Sequence, residues 1–343
     1  MSRHPLIRGA VIAVTCILLV AAIFWANRKD RLFRESRTSL YTLVTITVVS
    51  RSESRAKEAM DAAYRELDRV GRLLNFYAED SELSRINSNA GVAPVKVSTE
   101  TLDVISAAVR AGEETEGGFD VTVGPLVRLW DFTKKTIPAQ ERIEEAKSLV
   151  GFRHVIVDRQ AGTVFLDRKG MQIDLGGIIK GYAADRAVAV LRQQGMASGI
   201  VAVAGDIRLF GRQPDGRPWH VGIQHPRPQG DEAALLATID IADGAISTSG
   251  DYQRFFIENG IRYHHLLNPA TGFPQDLCRS VTVIAPAAAD TDAFATGIFV
   301  MGPEKGLATL ERLGMDGVIV DATGQVLMTK GIRERVKLVG TTP

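Results

Sequence analysis

MQIDLGGIIKGYAADR, residues 171–186, changes periodicity in mid-course. Met171, Ile173 and Leu175 alternate with Gln172 and Asp174, which predicts a strand. Gly176 and Gly177 break that pattern. Ile178, Tyr182, Ala183, Ala187, Val190 and Leu191 then recur at spacings of three and four, which predicts a helix. A strand that turns through glycines into a helix presents unpaired N–H groups at the helix start, where the dipole favours an anion such as phosphate. Lys180, one turn in, adds a full positive charge, and Asp174 can accept from a hydroxyl or ring N–H. The plainer alternative is a tight turn whose glycines serve packing alone. Neither GxxxxGK[ST] nor GxGxxG is present.

Outward from this stretch, strands are predicted at 41–49, 199–210, 219–224, 235–241 and 280–285, with strand pattern returning over 317–339. A hairpin is expected at 154–157 and 163–167. Strand-like alternation also marks 117–132, GGFDVTVGPLVRLWDF. Helices are expected at 53–74, 99–116, 137–150, 290–301 and 303–313, with a short one after Ser81. Strands and helices mix without strict alternation, so the expected class is α+β, a largely antiparallel sheet with flanking helices.

The 343 residues carry a net charge of +1, with 45% hydrophobic and 24% charged. That balance argues against a nucleic-acid partner. Cys16 and Cys278 lie far apart, so neither an internal disulfide nor a cysteine metal site is expected. Gly9 to Ala26 runs eighteen residues without a charge, long enough for one N-terminal transmembrane segment, and Trp25 suits its interface. Residues 1–38 are therefore assigned to a membrane anchor or signal and linker, and 39–340 to the folded domain. Arg28, Lys29, Arg31, Arg34 and Arg37 outnumber Arg3 and Arg8, and this alone would keep the body in the cytoplasm.

Several residues carry candidate chemistry. Asp292 and Thr296, four apart on a predicted helix, share a face and offer the hard oxygens that magnesium takes. His264 and His265 adjoin in a predicted strand, so only one can face a given site; a neutral histidine can take a proton from a hydroxyl. Asp206 follows a strand and a glycine, as a ligand-facing acid or a turn residue. Ser247, Thr248 and Ser249 suit phosphate or a β-turn. Tyr77, Phe119 and Trp130 can stack on a planar ring, and Trp130 is assigned to the core.

Seven stretches, in order, resemble the ApbE family, the FAD:protein FMN transferases. They are SELSRIN (81–87), GGFDVTVGPLVRLW (117–130), DLGGIIKGYAAD (174–185), AGDI (204–207), STSGDY (247–252), HLLNPATGFP (265–274) and TDAFATGIFV (291–300). The resemblance implies an ApbE-like fold that binds FAD and Mg2+ and transfers FMN from FAD to a Thr or Ser hydroxyl of a target protein, releasing AMP. It implies magnesium ligation by Asp292, Thr296 and the main-chain carbonyl of Gly177. It also implies FAD contacts at Tyr77, Gly118, Phe119, Asp120, Asp174, Lys180, Asp206 and Leu267, with His265 activating the acceptor hydroxyl and Lys180 assisting. The family's placement implies a bacterial inner-membrane protein with a periplasmic body, against the charge balance above. Leu40-Tyr41-Thr42 replaces the family's Met-Gly-Thr, and Asn268 replaces its Asp. The same site could release FMN to water as an FAD pyrophosphatase, or bind FAD without chemistry.

Overall fold

The computed structural model describes residues 29–228 and 234–339, together with Thr15. The membrane segment expected at 9–26 otherwise lies outside the described residues. Among the described residues, no helix is long and apolar enough to cross a membrane.

Among the described residues, eight strands form one sheet whose order in space is their order in sequence. They are β1 (Arg31–Ser39), β2 (Thr42–Ser50), β3 (Gly199–Val203), β4 (Asp206–Phe210), β5 (Gly244–Gly250), β6 (Cys278–Ala285), β7 (Asp316–Asp321) and β8 (Val326–Met328). Every neighbouring pair is antiparallel. The α+β class expected from the sequence is what forms. The basic run placed with the linker is folded, since Arg31–Ser39 pairs along its whole length with β2.

Five longer helices accompany the sheet: α1 (Glu53–Leu73), α2 (Thr99–Glu114), α3 (Ile179–Gln193), α4 (Ala288–Met301) and α5 (Pro303–Arg312). α1 lies against β1 and β2, α3 against β3 and β4, α4 against β5 and β6, and α5 against β7. The period-2 pattern of β2 explains the seating. Val44, Ile46 and Val48 are fully buried under the helices, while Thr45 and Thr47 alternate with them. The other face packs Leu209, Ile246, Ile284 and Val318 on a second, three-stranded sheet of Trp219–Gln224, Leu235–Ile241 and Val336–Leu338.

Three local expectations are corrected. Residues 171–175 are extended, and their burial alternates as predicted, but they join no strand ladder. One bridge pairs Gln172 with Val123. The side chain of Asn87 supplies what a strand would have given: its Nδ2 donates to Ile173 O (3.0 Å), and its Oδ1 accepts from Ile173 N (2.7 Å). Residues 117–132 are not a strand either. Asp120 accepts from the N–H and hydroxyl of Thr122 and folds the chain back, and Pro125 opens a short helix, Gly124–Val127. The single strand expected at 199–210 is a hairpin, β3–β4, turning at Ala204-Gly205.

Candidate functional site

α4 is apolar nearly all round. Ala293, Phe294, Ala295, Ile298, Phe299 and Val300 are all buried, as a helix without a solvent face must be. Asp292 sits among them, 3% exposed. A carboxylate in that setting needs partners. Lys180 on α3 provides one, its Nζ 2.8 Å from Asp292 Oδ1, and the N–H of Gly181 provides another, 3.1 Å from Oδ2. The same ammonium lies 2.5 Å from Oδ2 of Asp206, the first residue of β4. Lys180 therefore joins the start of α3, the β3–β4 hairpin and α4.

The electrostatics follow from that junction. Burial pushes the Asp292 carboxyl above the usual carboxylate range, and the charge of Asp206 adds to the rise; Lys180 opposes both. Burial alone would push the Lys180 ammonium down, but Asp292 and Asp206 more than offset it, and its pKa is raised. Two buried carboxylates thus share one ammonium, which leaves negative charge for a further cation to balance.

Thr296, one turn along α4, bonds through its Oγ1 to Ser249 Oγ on β5 (3.1 Å). Gly177 adjoins it: a Cβ built there would lie 3.5 Å from Thr296 Oγ1 and 3.0 Å from the Phe119 ring. The structure therefore brings together Gly177, Lys180, Asp206, Asp292, Thr296 and Phe119. Among the described residues no group of three or more His, Cys, Asp or Glu could hold a metal. The donors here are a carboxylate and a hydroxyl, with the backbone of Gly177 beside them. A hard ion that keeps its waters and takes substrate phosphate, such as magnesium, fits that set.

The remaining predicted residues divide. Asp174 flanks the turn, and its Oδ1 accepts from Gly176 N (2.7 Å). Burial raises its pKa, against Arg254 and Arg128. Tyr77 stands 78% exposed, edge-on to Phe76. His265 is half-buried. Its Nδ1 is shielded and has no hydrogen-bond partner among the described residues, and burial with the nearby Arg254 charge pushes its pKa down to about 3, so the ring is neutral. Other residues are taken up by the chain itself. Asp120 accepts from Thr122 and, through Oδ2, from Phe152 N (2.9 Å). Gly118 lets the loop approach α4 closely, since a Cβ there would lie 2.6 Å from Gly297 O. Leu267 packs with Leu126, Trp130 and Phe256 in a satellite core. Trp130 belongs to that core as expected and donates to Gly272 O. Ser247 and Thr248 lie on β5 rather than in a turn and bond Thr291 and Thr282.

Sequence reasoning passed over Asn87, Gly181 and Asp185. A signal existed for Gly181: a glycine inside a helical pattern points to a close packing contact. A Cβ on it would lie 2.0 Å from Ala288 O, at the start of α4.

The model of the ApbE family matches residues 40–333. The FAD:protein FMN transferase of Escherichia coli (strain K12) is 36% identical over 282 residues, 80% of each chain. That of Vibrio cholerae is 34% identical over 309 residues, covering 89% of this chain and 91% of its own. Among solved structures, the apbe protein of Thermotoga maritima superposes with a TM-score of 0.82 at 34% identity, covering 89% of this chain and 99% of the other. The flavin transferase ApbE of Vibrio cholerae gives 0.79 at 31% identity with the same coverage.

Proposed function

The chain belongs to the ApbE family, and from that premise we propose that it is a flavin transferase, moving FMN from FAD to a Thr or Ser hydroxyl of a target protein and releasing AMP. The observation that carries the reading is the junction at Lys180. Three matched stretches that lie far apart in sequence, DLGGIIKGYAAD, AGDI and TDAFATGIFV, meet there within hydrogen-bond distance.

The reaction displaces one phosphoryl bond by another. The acceptor oxygen bonds to the phosphorus of the FMN half, the pyrophosphate bond breaks, and AMP carries away the bond's electron pair. Such transfers depend on positioning and on neutralising charge. Lys180 holds Asp292 and Asp206 in place beside the Gly176-Gly177 turn. A magnesium ion held by Asp292, Thr296 and the carbonyl of Gly177 would neutralise the pyrophosphate. His265 is neutral, so its ring nitrogen can accept the hydrogen bond of the acceptor hydroxyl and help to activate it; a histidinium could not. Tyr77 offers an open aromatic face to the flavin ring. We also propose that residues 9–26 tether the protein to a bacterial inner membrane with its body on the periplasmic side; protease accessibility in spheroplasts tests that placement.

Asp292→Ala tests the metal assignment. Lys180 keeps Asp206 as a partner, so the variant should fold with an unchanged far-UV spectrum. AMP release from FAD at millimolar magnesium should fall at least a hundredfold. Wild-type AMP release from a folded Asp292→Ala protein would remove Asp292 from the reaction.

A further inference from the structure

Asp185 closes the stretch DLGGIIKGYAAD, yet its carboxylate serves a different helix from its own. Oδ1 accepts from Ala288 N (3.0 Å) and Oδ2 from Ala289 N (2.9 Å). These are the first two amides of α4, which have no partner within that helix. The N-cap position of α4 is Ala287, whose side chain can accept nothing. The cap that Ser, Thr, Asp or Asn would normally provide there comes from α3 instead. Arg208 on β4 holds the carboxylate in place, with Nε 3.1 Å from Oδ1, and is itself fixed by Asp243 (2.9 Å) and Gly244 O (2.8 Å).

The clamp works in both directions. Asp185 of α3 reaches the start of α4, and Asp292 of α4 accepts from Gly181 at the start of α3. Gly181 lets Ala288 come close enough for both contacts. Between these fixed points the first turns of α4 cannot slide along α3, and this sets where Asp292 and Thr296 stand relative to Lys180 and Gly177.

We propose that Asp185 is a positioning residue for Asp292 and that, by capping α4 from α3, it sets the affinity of the site for its divalent cation. The proposal rests on the metal reading given above. Groups hydrogen-bonded directly to a metal ligand typically contribute tenfold to a hundredfold in metal affinity; Asp185 acts on Asp292 through the backbone of α4, which places its effect at the lower end.

The test uses the full chain with FAD and Mn2+ as the probe, with free Mn2+ read by electron paramagnetic resonance. Asp185→Asn should weaken Mn2+ binding about tenfold or more. A second variant combines Asp185→Asn with Ala287→Asp. The extended backbone at Ala287, φ −112 and ψ 137, suits a capping side chain, so this change returns a local cap and with it the melting temperature. It does not restore the tie to α3, so Mn2+ binding should stay weak. Wild-type Mn2+ affinity in either folded variant would overturn the proposal, because it would reduce Asp185 to a helix cap. If wild-type protein itself binds no Mn2+ in the presence of FAD, the metal reading fails instead, and the two failures are distinct.

Discussion

Adjacent histidines at 264 and 265 part ways because the chain there is extended. His264 is buried edge-on against Phe299. Its Nε2 donates to Gln275 O (2.9 Å) and its Nδ1 accepts from Leu266 N (3.3 Å), so both nitrogens are spent and the ring is fixed neutral. His265 keeps a nitrogen with no partner among the described residues. Its folded-state pKa of about 3 lies below the ordinary 6.5. The unfolded chain therefore binds a proton that the folded chain refuses between those values, and stability falls as pH drops through that window. His265→Gln removes this loss. Relative to wild type, the variant should gain about 1–2 kcal/mol between pH 7 and pH 5, read from melting temperatures of both proteins; a constant difference across that range would mean that His265 titrates normally. The sequence alone showed that the two histidines must face opposite ways. It did not show which one the core would claim, because that depends on Phe299 and Gln275 arriving from elsewhere in the chain. Asp120 and Leu267 teach the same lesson. Their positions match the family pattern, while their side chains are engaged by Thr122, Phe152 and the satellite core.

At the scale of elements, the contact between α3 and α4 governs the site. Gly181→Ala would place a methyl 2.0 Å from a backbone oxygen of α4, which cannot swing aside as a side chain would. The helices must part, at a cost of about 1–3 kcal/mol, and Asp292 must move away from Lys180. A melting temperature lowered accordingly, with transfer activity falling at least tenfold, is the expected result. Wild-type behaviour in both would show that the contact is looser than described. Helices were legible wherever one apolar face repeats, as in α1, with Ala56, Ala59, Ala63, Leu67 and Val70 all buried. They were legible by their caps as well, Ser81 being one. Residues 171–175 were harder. Their alternation is real, but a pattern of buried and open positions does not say whether the backbone meets a strand or an asparagine side chain. Asn87, 86 positions away from Ile173, could only be found in three dimensions.

At the scale of the molecule, the sheet is built in the order in which the chain is made, with helices laid over successive strands. β1 is its first edge, and its Arg31, Arg34 and Arg37 are charges of the kind that blunt an edge against further pairing. The sequence showed that run only as positive charge. Truncation separates the two descriptions. A chain starting at residue 29 should keep the melting temperature and activity of the body, whereas one starting at residue 41 loses β1, bares β2 and should melt at least 5 °C lower, on the order of 3 kcal/mol for a domain of this size. Equal melting temperatures would mean that β1 adds nothing to the sheet.

Flavin transfer to a protein can be measured directly. Residues 29–343 would be incubated with FAD, magnesium and a protein bearing a candidate Thr or Ser acceptor, and the acceptor weighed by mass spectrometry. The expected result is the added mass of FMN on the acceptor, AMP in solution, and loss of both with EDTA. Free FMN and AMP with an unmodified acceptor, across acceptors tried, would make the protein a pyrophosphatase and not a transferase.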